Sequence, residues 1–375
     1  SQILVDDSHN GATFSVTADF SETMTAIAPE IVFTSDVTAT LSINNSGWYN
    51  SDTRYIWVYN IADANDYLPD IDITVSNASD ANRNLQTAAN SDRLFTIDMT
   101  SPTATVILSD ALITEADNGL QLNITVEYSE EMKNATPPNL VFSSVPSSLT
   151  LNAATSDWNG LSTIYTYVYD ITDEEETLLN IDVTASDASD LNGNVQESAT
   201  CSTQLDIDMV KPSPTIQASH TEIFDAQVGE NFIVQVEYDE TMATASPDIV
   251  FAPDVTSMTL QFQSSGWQSG NMIFTWNYLI ADENETINYV DIEVSNATDI
   301  YGNMQDVQTN VHSFEIDTQD PYPVFVLVEP TTITDANIGT AMLSITADFS
   351  ENMAATIPSI SFNPAVSGVL KNPQT

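Results

Sequence analysis

Between Leu120 and Tyr128 the chain alternates without a break. Leu120, Leu122, Ile124, Val126 and Tyr128 share one face; Gln121, Asn123, Thr125 and Glu127 take the other. Period two, carried by β-branched and aromatic residues, predicts a strand with one buried side. Tyr165, Tyr167, Tyr169 and Ile171 predict a second strand. Ile181, Val183 and Ala185 predict a third, with Asp182, Thr184 and Ser186 turned outward. Shorter runs at 104–108, 140–144, 148–152 and 203–207 complete a set of about seven. No segment keeps a capped helical period. Short strands separated by Asn, Asp, Gly and Pro predict a two-sheet sandwich of immunoglobulin-like kind.

The same pattern returns along the chain. FSETM at 20–24 becomes YSEEM at 128–132, YDETM at 238–242 and FSENM at 349–353. PEIVF (29–33), PNLVF (138–142), PDIVF (247–251) and PSISF (358–362) keep step with it, as do Trp48, Trp158 and Trp267. A period of about 110 residues is the size of an independent domain and too long for a solenoid unit. The expected architecture is all-β: tandem sandwiches of about seven strands each, strung end to end. Their expected bounds are 1–99 (first strand missing), 100–209, 210–318 and 319–375 (partial). Both ends fall inside a repeat, so the chain reads as an excerpt of something longer.

Charge narrows the partners. There are 54 acidic and 6 basic residues, a formal net charge of −48. Nucleic acid and anionic membranes require a basic footprint, so neither is an expected partner. No apolar run reaches the ~18 residues of a membrane span. A hydrophobic share of 42% excludes charge-driven disorder. The chain therefore folds, and its self-repulsion calls for salt or bound divalent cations. Cys201 is the single cysteine and cannot form a disulfide within the chain.

Strand order suggests where the acids converge. In a seven-strand sandwich the second and sixth strands finish at the end where the chain enters. Glu130 and the loop Asp190–Asn194 then lie at that end of the second repeat, beside Asp98 on the incoming linker. The expected cluster is Asp98, Glu130, Asp190 and Asn194. Its counterparts are Asp208, Glu240, Asp299 and Asn303, then Asp317 and Glu351 where the fourth copy stops, and Glu22, Asp80 and Asn84 in the first. Carboxylates with an amide oxygen suit a hard cation taking six to eight oxygen ligands, calcium better than magnesium. His9, His220 and His312 do not recur in register, which disfavours zinc and copper. The competing reading makes these Asp and Asn plain turn residues; it does not explain a Glu after the second strand in every copy.

A second acidic group is expected at the opposite end of each repeat: Asp63 and Asp66, then Asp173 to Glu176, then Asp282, Glu283 and Glu285. Its variable content favours a solvated turn. Trp48, Trp158 and Trp267 allow either sugar stacking or packing, and their place before an aromatic strand favours packing.

YSEEM (128–132), ASDLNGN (188–194) and the boundary IDMTSP (97–102), with equivalents in the other copies, resemble the bacterial Ig-like repeats of giant cell-surface adhesins. The resemblance covers nearly the whole chain. It implies an exported protein at the cell surface, built of many sandwiches in series, with calcium between domains. Arg83 departs from the pattern: it stands where later copies have Gly193 and Gly302, and a positive φ there would strain it.

The expected role is structural. Short linkers with Pro102, Pro212 and Pro321, locked by calcium, would make a stalk or fibre segment serving adhesion. Its partners would be neighbouring repeats, identical chains in a homo-oligomeric fibre, and a host, prey or surface receptor. The alternative is an array of modules binding glycans or proteins. No nucleophile motif or phosphate loop suggests an enzyme.

Overall fold

The computed structural model describes residues 3–91, 95–147, 150–339, 343–366 and 370. Among them the regular structure is strand, with one short 3-10 turn near the start of each repeat. The chain divides into two compact units. One holds the residues up to Lys211 together with Ile300–Asn303; the other holds Pro212–Asp299 and the residues from Met304 onward.

The segment 104–208 displays the all-β sandwich most clearly. One layer is antiparallel, in the order Ala104–Leu108, Gln121–Tyr128, Ile164–Ile171, Leu151–Trp158. The other contains two three-stranded sheets. Leu112–Thr114 runs parallel to Leu205–Asp208, which also pairs with Thr177–Ile181. Asn139–Phe142 pairs with Val183–Ser186, which pairs with Ala199–Thr200. In the segment 222–317 these pieces join into one four-stranded sheet. Among the described residues of 3–98 the corresponding layer shows three strands, in the order Thr13–Asp19, Arg54–Ile61, Leu41–Tyr49.

Alternation builds the core directly. Leu122, Ile124 and Val126 have no exposed surface, and neither do Ile113, Ile181, Val183, Ala185 and Ile207 from the facing layer. Separate cores of the same design lie around Phe95 and Ile97 and around Phe232 and Phe314. Burying one such side chain contributes about 1.5–3 kcal/mol. Leu120, expected on the inner face, is exposed: it closes the turn after Gly119, whose φ is +82°. The strand expected at 148–152 begins at Leu151 and runs to Trp158, and positions 148 and 149 lie outside the described residues.

Each of the three recurring tryptophans packs between two rings. Trp158 sits 5.5 Å from Tyr128 and 5.0 Å from Tyr165; Trp267 sits 5.7 Å from Tyr238 and 5.0 Å from Phe274; Trp48 lies against Phe20 and Tyr55. The Tyr128 and Tyr238 hydroxyls turn inward and donate to Gln196 and Gln305, both at 2.7 Å. These glutamines donate onward to the Ala185 and Val294 carbonyls and so tie the loop before them to the core.

Burial pushes Tyr278 up to about 12 and raises Tyr128, Tyr167 and Tyr238 further. A phenol whose folded pKa exceeds its unfolded value contributes stability below pH ~10 that is lost as pH rises through the folded value. Ultraviolet titration is expected to show ordinary tyrosines ionising near pH ~10, and a second class ionising only as the fold collapses at or above about pH 12. A single transition near pH ~10 with the fold intact would contradict this burial.

Candidate metal centre

The loop after the Val183–Ser186 strand is organised by one carboxylate. Asp190 Oδ1 accepts the backbone N–H groups of Asn192 at 2.9 Å, Gly193 at 2.6 Å and Asn194 at 2.9 Å. Its Oδ2 accepts the Asn194 side-chain amide at 2.9 Å. Gly193 meets the turn with φ +107°. Arg83 holds the same position in the first repeat at φ +70°, the strained region anticipated for it, and Asp80 still gathers Asn82 and Asn84 around it. The side-chain amide and backbone of Asn84 hold the Asp80 carboxyl below its usual range.

Bridges between Met132 and Asp190, and from Lys133 N–H to the Ser189 carbonyl, bring the end of the Gln121–Tyr128 strand beside this loop. Glu130 thereby meets Asp190. Asp98, at the end of Phe95–Asp98, accepts the Asn192 side-chain amide at 2.5 Å and Thr100 N–H at 3.3 Å. One oxygen each from Asp98, Glu130 and Asp190 lie within 4.8 Å of one another. Asp98 is 3% exposed and Asp190 1%. Burial raises the Glu130 pKa, and the negative charges of Asp190 and Asp98 raise it further. At an effective dielectric of ~20, like charges ~5 Å apart repel by roughly 3 kcal/mol. Three hard oxygen donors around one point are what a divalent cation with oxygen ligands takes.

Asn194 serves a different purpose from its neighbours. Its Oδ1 accepts the Asp7 backbone N–H at 2.9 Å, fastening the loop to the 3-10 turn of the preceding repeat. Asn303 does the same for Glu115 N–H at 2.9 Å and also donates to the Asp208 carbonyl at 2.8 Å. Asp208 is buried and accepts the Thr177 hydroxyl. Glu240 and Asp299 offer oxygens within 4.8 Å of each other. Asp317 accepts the Thr286 hydroxyl, while Glu351 is exposed. Glu22 is exposed and Asp80 is buried beside exposed Asn84.

The structure adds acids that the sequence reading did not single out. Asp7, Glu115, Asp225 and Asp335 each open the 3-10 turn of their repeat. Burial raises the Asp7 pKa, with further upward pressure from Asp63, Asp190 and Asp6. Asp63, assigned above to the opposite end of its repeat, is therefore close to the loop of the next repeat. Asp225 is raised likewise by burial and by Asp282, Asp320 and Asp317. The signal was present in sequence: one acid, in register, in all four copies. Asp63, Asp173 and Asp282 also cap their own turns, accepting N–H from the residue two positions on.

The chain matches no protein-family model and no curated protein. No helix among the described residues is long and apolar enough to cross a membrane.

Proposed function

We propose that the chain is a structural stalk or fibre segment of a large secreted bacterial surface protein. In this reading it is a row of immunoglobulin-like repeats stiffened by calcium, serving adhesion at the cell surface. The observation that carries it is the grouping of Asp98 from one repeat with Glu130 and Asp190 from the next, two of the three nearly inaccessible. A cation held there ties the repeats together and removes the repulsion that otherwise separates them. Calcium is the ion whose flexible coordination suits irregular loops. Asp98, Glu130 and Asp190 would supply the side-chain oxygens, while Asn194 and Asn303 would position the turns facing them.

The prolines at 102, 212 and 321 shorten the slack between repeats. Strands of ~10 residues at ~3.3 Å each, plus a linker, give roughly 40 Å per repeat. A calcium-loaded segment would therefore act as a spacer. Small-angle scattering of the whole chain tests this: calcium is expected to give a longer, narrower distribution of distances than chelator. Identical curves in the two conditions would remove the stiffening role.

A further inference from the structure

We infer that the sheet-edge strands Leu41–Tyr49 and Leu260–Gln268 are contact surfaces at which a second copy of this chain adds an edge strand of its own. The pairing is independent of the cation centre and concerns how separate chains lie against one another.

Each of these strands closes its layer and is paired on one side only, with Arg54–Ile61 and with Ile273–Ile280 respectively. Residues 42–46 and 261–265 are exposed, so no described part of the chain covers that side. A bare edge offers a row of N–H and C=O groups to another strand. The other edges of the segment 214–317 are short or guarded. Pro214–Ala218 has five residues and opens on proline; Glu222–Phe224 has three; Asp248–Ala252 opens on an acid and is followed by Pro253. Leu260–Gln268 has nine residues and no Asp, Glu, Lys or Arg. The same is true of Leu41–Tyr49, in a chain with 54 acids. A bulge at Ile43/Asn45 and at Phe262/Ser264 interrupts each strand, and beyond it residues 45–49 and 264–268 keep unbroken register.

A glycine stands in each of these stretches. Neither Gly47 nor Gly266 has a positive φ, and a Cβ added to either would meet nothing within 4 Å. Backbone conformation and internal packing therefore do not ask for glycine, which weakens a strand; close approach of another backbone does. The equivalent position in the middle repeat is Asp157. Cross-strand neighbours stand ~5 Å apart, so an acid there opposes an incoming strand. The occupant follows from charge. A basic partner gains nothing from a strip without acids. Two copies of a chain carrying −48 repel one another, and at these strips they meet with no carboxylate opposed. The edge of a second copy is equally long, uncharged and bare. One strand pair buries less than a standard interface, so the contact is weak singly and gains by recurring along the chain.

Sedimentation velocity of the full 375-residue chain in ~1 M salt, where the Debye length is about 3 Å, reads association without long-range repulsion. Wild type is expected to form dimers or larger species as its concentration rises. Gly47→Asp combined with Gly266→Asp installs the residue that the middle repeat already carries at this register, so the fold is kept. Association is expected to weaken on the order of 100-fold, because pairing desolvates the new carboxylates and salt does not screen that cost. Ser15→Asp combined with Asn231→Asp adds the same charges at exposed positions two strands away in the same layers, and is expected to associate like wild type. Asp157→Gly is expected to associate more tightly than wild type. A monomeric wild type, a glycine double variant that associates like wild type, or an Asp157→Gly chain no tighter than wild type would overturn the inference. So would a control weakened as much as the glycine double variant.

Discussion

Chelation of calcium from the full chain is expected to lower its melting temperature by on the order of 10 °C. A site of ~0.1 mM affinity, usual for extracellular calcium modules, contributes about 2.7 kcal/mol at a hundredfold excess of ion. For a domain of 60–100 residues each kcal/mol moves the melting point by ~4–8 °C. The effect is expected in the transition of the segment containing Asp98, Glu130 and Asp190, because that is where the buried carboxylates meet. Calorimetry in calcium and in chelator checks it. Magnesium is expected to restore less of the shift, since it demands near-ideal octahedral geometry and dehydrates reluctantly, whereas calcium accepts irregular oxygen sets. A melting point that moves by no more than about 2 °C, well under the 4–8 °C expected per kcal/mol, would end the case for a cation at this place.

Replacing Asp190 separates two roles held by one side chain. Asp190→Ala is expected to destabilise its repeat by about 3 kcal/mol even in chelator, because three loop N–H groups lose their acceptor and each unsatisfied donor costs ~1–3 kcal/mol before solvent relieves part of it. Asp190→Asn retains an acceptor oxygen and removes a charge that faces Glu130 and Asp98. Its amide would face the Asn194 side-chain amide that Asp190 Oδ2 accepts, so in chelator it is expected to cost about 1 kcal/mol, less than Asp190→Ala. Both variants are expected to lose the calcium-dependent rise in melting temperature. Denaturant unfolding, with and without calcium, reads all four values. Equal losses for Ala and Asn in chelator would mean that the carboxylate charge itself, and not its acceptor geometry, shapes the loop.

Period two was enough to find the strands that are buried on one side. Leu122, Ile124, Val126 and Tyr128 lie inward because a pleated strand leaves them no alternative. The strand Leu151–Trp158 was harder to see. It lies at a sheet edge, and residues 152–157 are exposed on both sides, so no alternation marks them. Leu120 misled because a turn at Gly119 ends the pattern one residue before composition does.

The positions of Glu130 and Asp190 could be placed from strand order alone, since strand direction fixes the end at which each stops. Asp7 could not. The chain enters in one layer at Ala104–Leu108 and crosses to the other at Leu112–Thr114, where it runs parallel to the final strand. Periodicity carries no record of a strand changing sheets. The acid that follows is thereby delivered to the exit end of its repeat, together with Asp63, and into reach of the next loop. Nor could spacing reveal that Asn194 is fastened to the Asp7 backbone, because that bond joins residues 187 positions apart.

The Asp98–Glu130–Asp190 grouping draws on two successive repeats, which bears on how an array built this way can change in length. The exit half, with the closing aspartate and the acid of the 3-10 turn, comes from one repeat; the entry half, with the glutamate and the aspartate loop, comes from the next. An unequal crossover that adds or removes one whole repeat joins an exit half to an entry half and regenerates a complete centre at the new seam. A crossover out of register strands carboxylates of one sign against each other. In the proposed cation-bound array, variation in length by whole copies is thus tolerated by the chemistry of the seam.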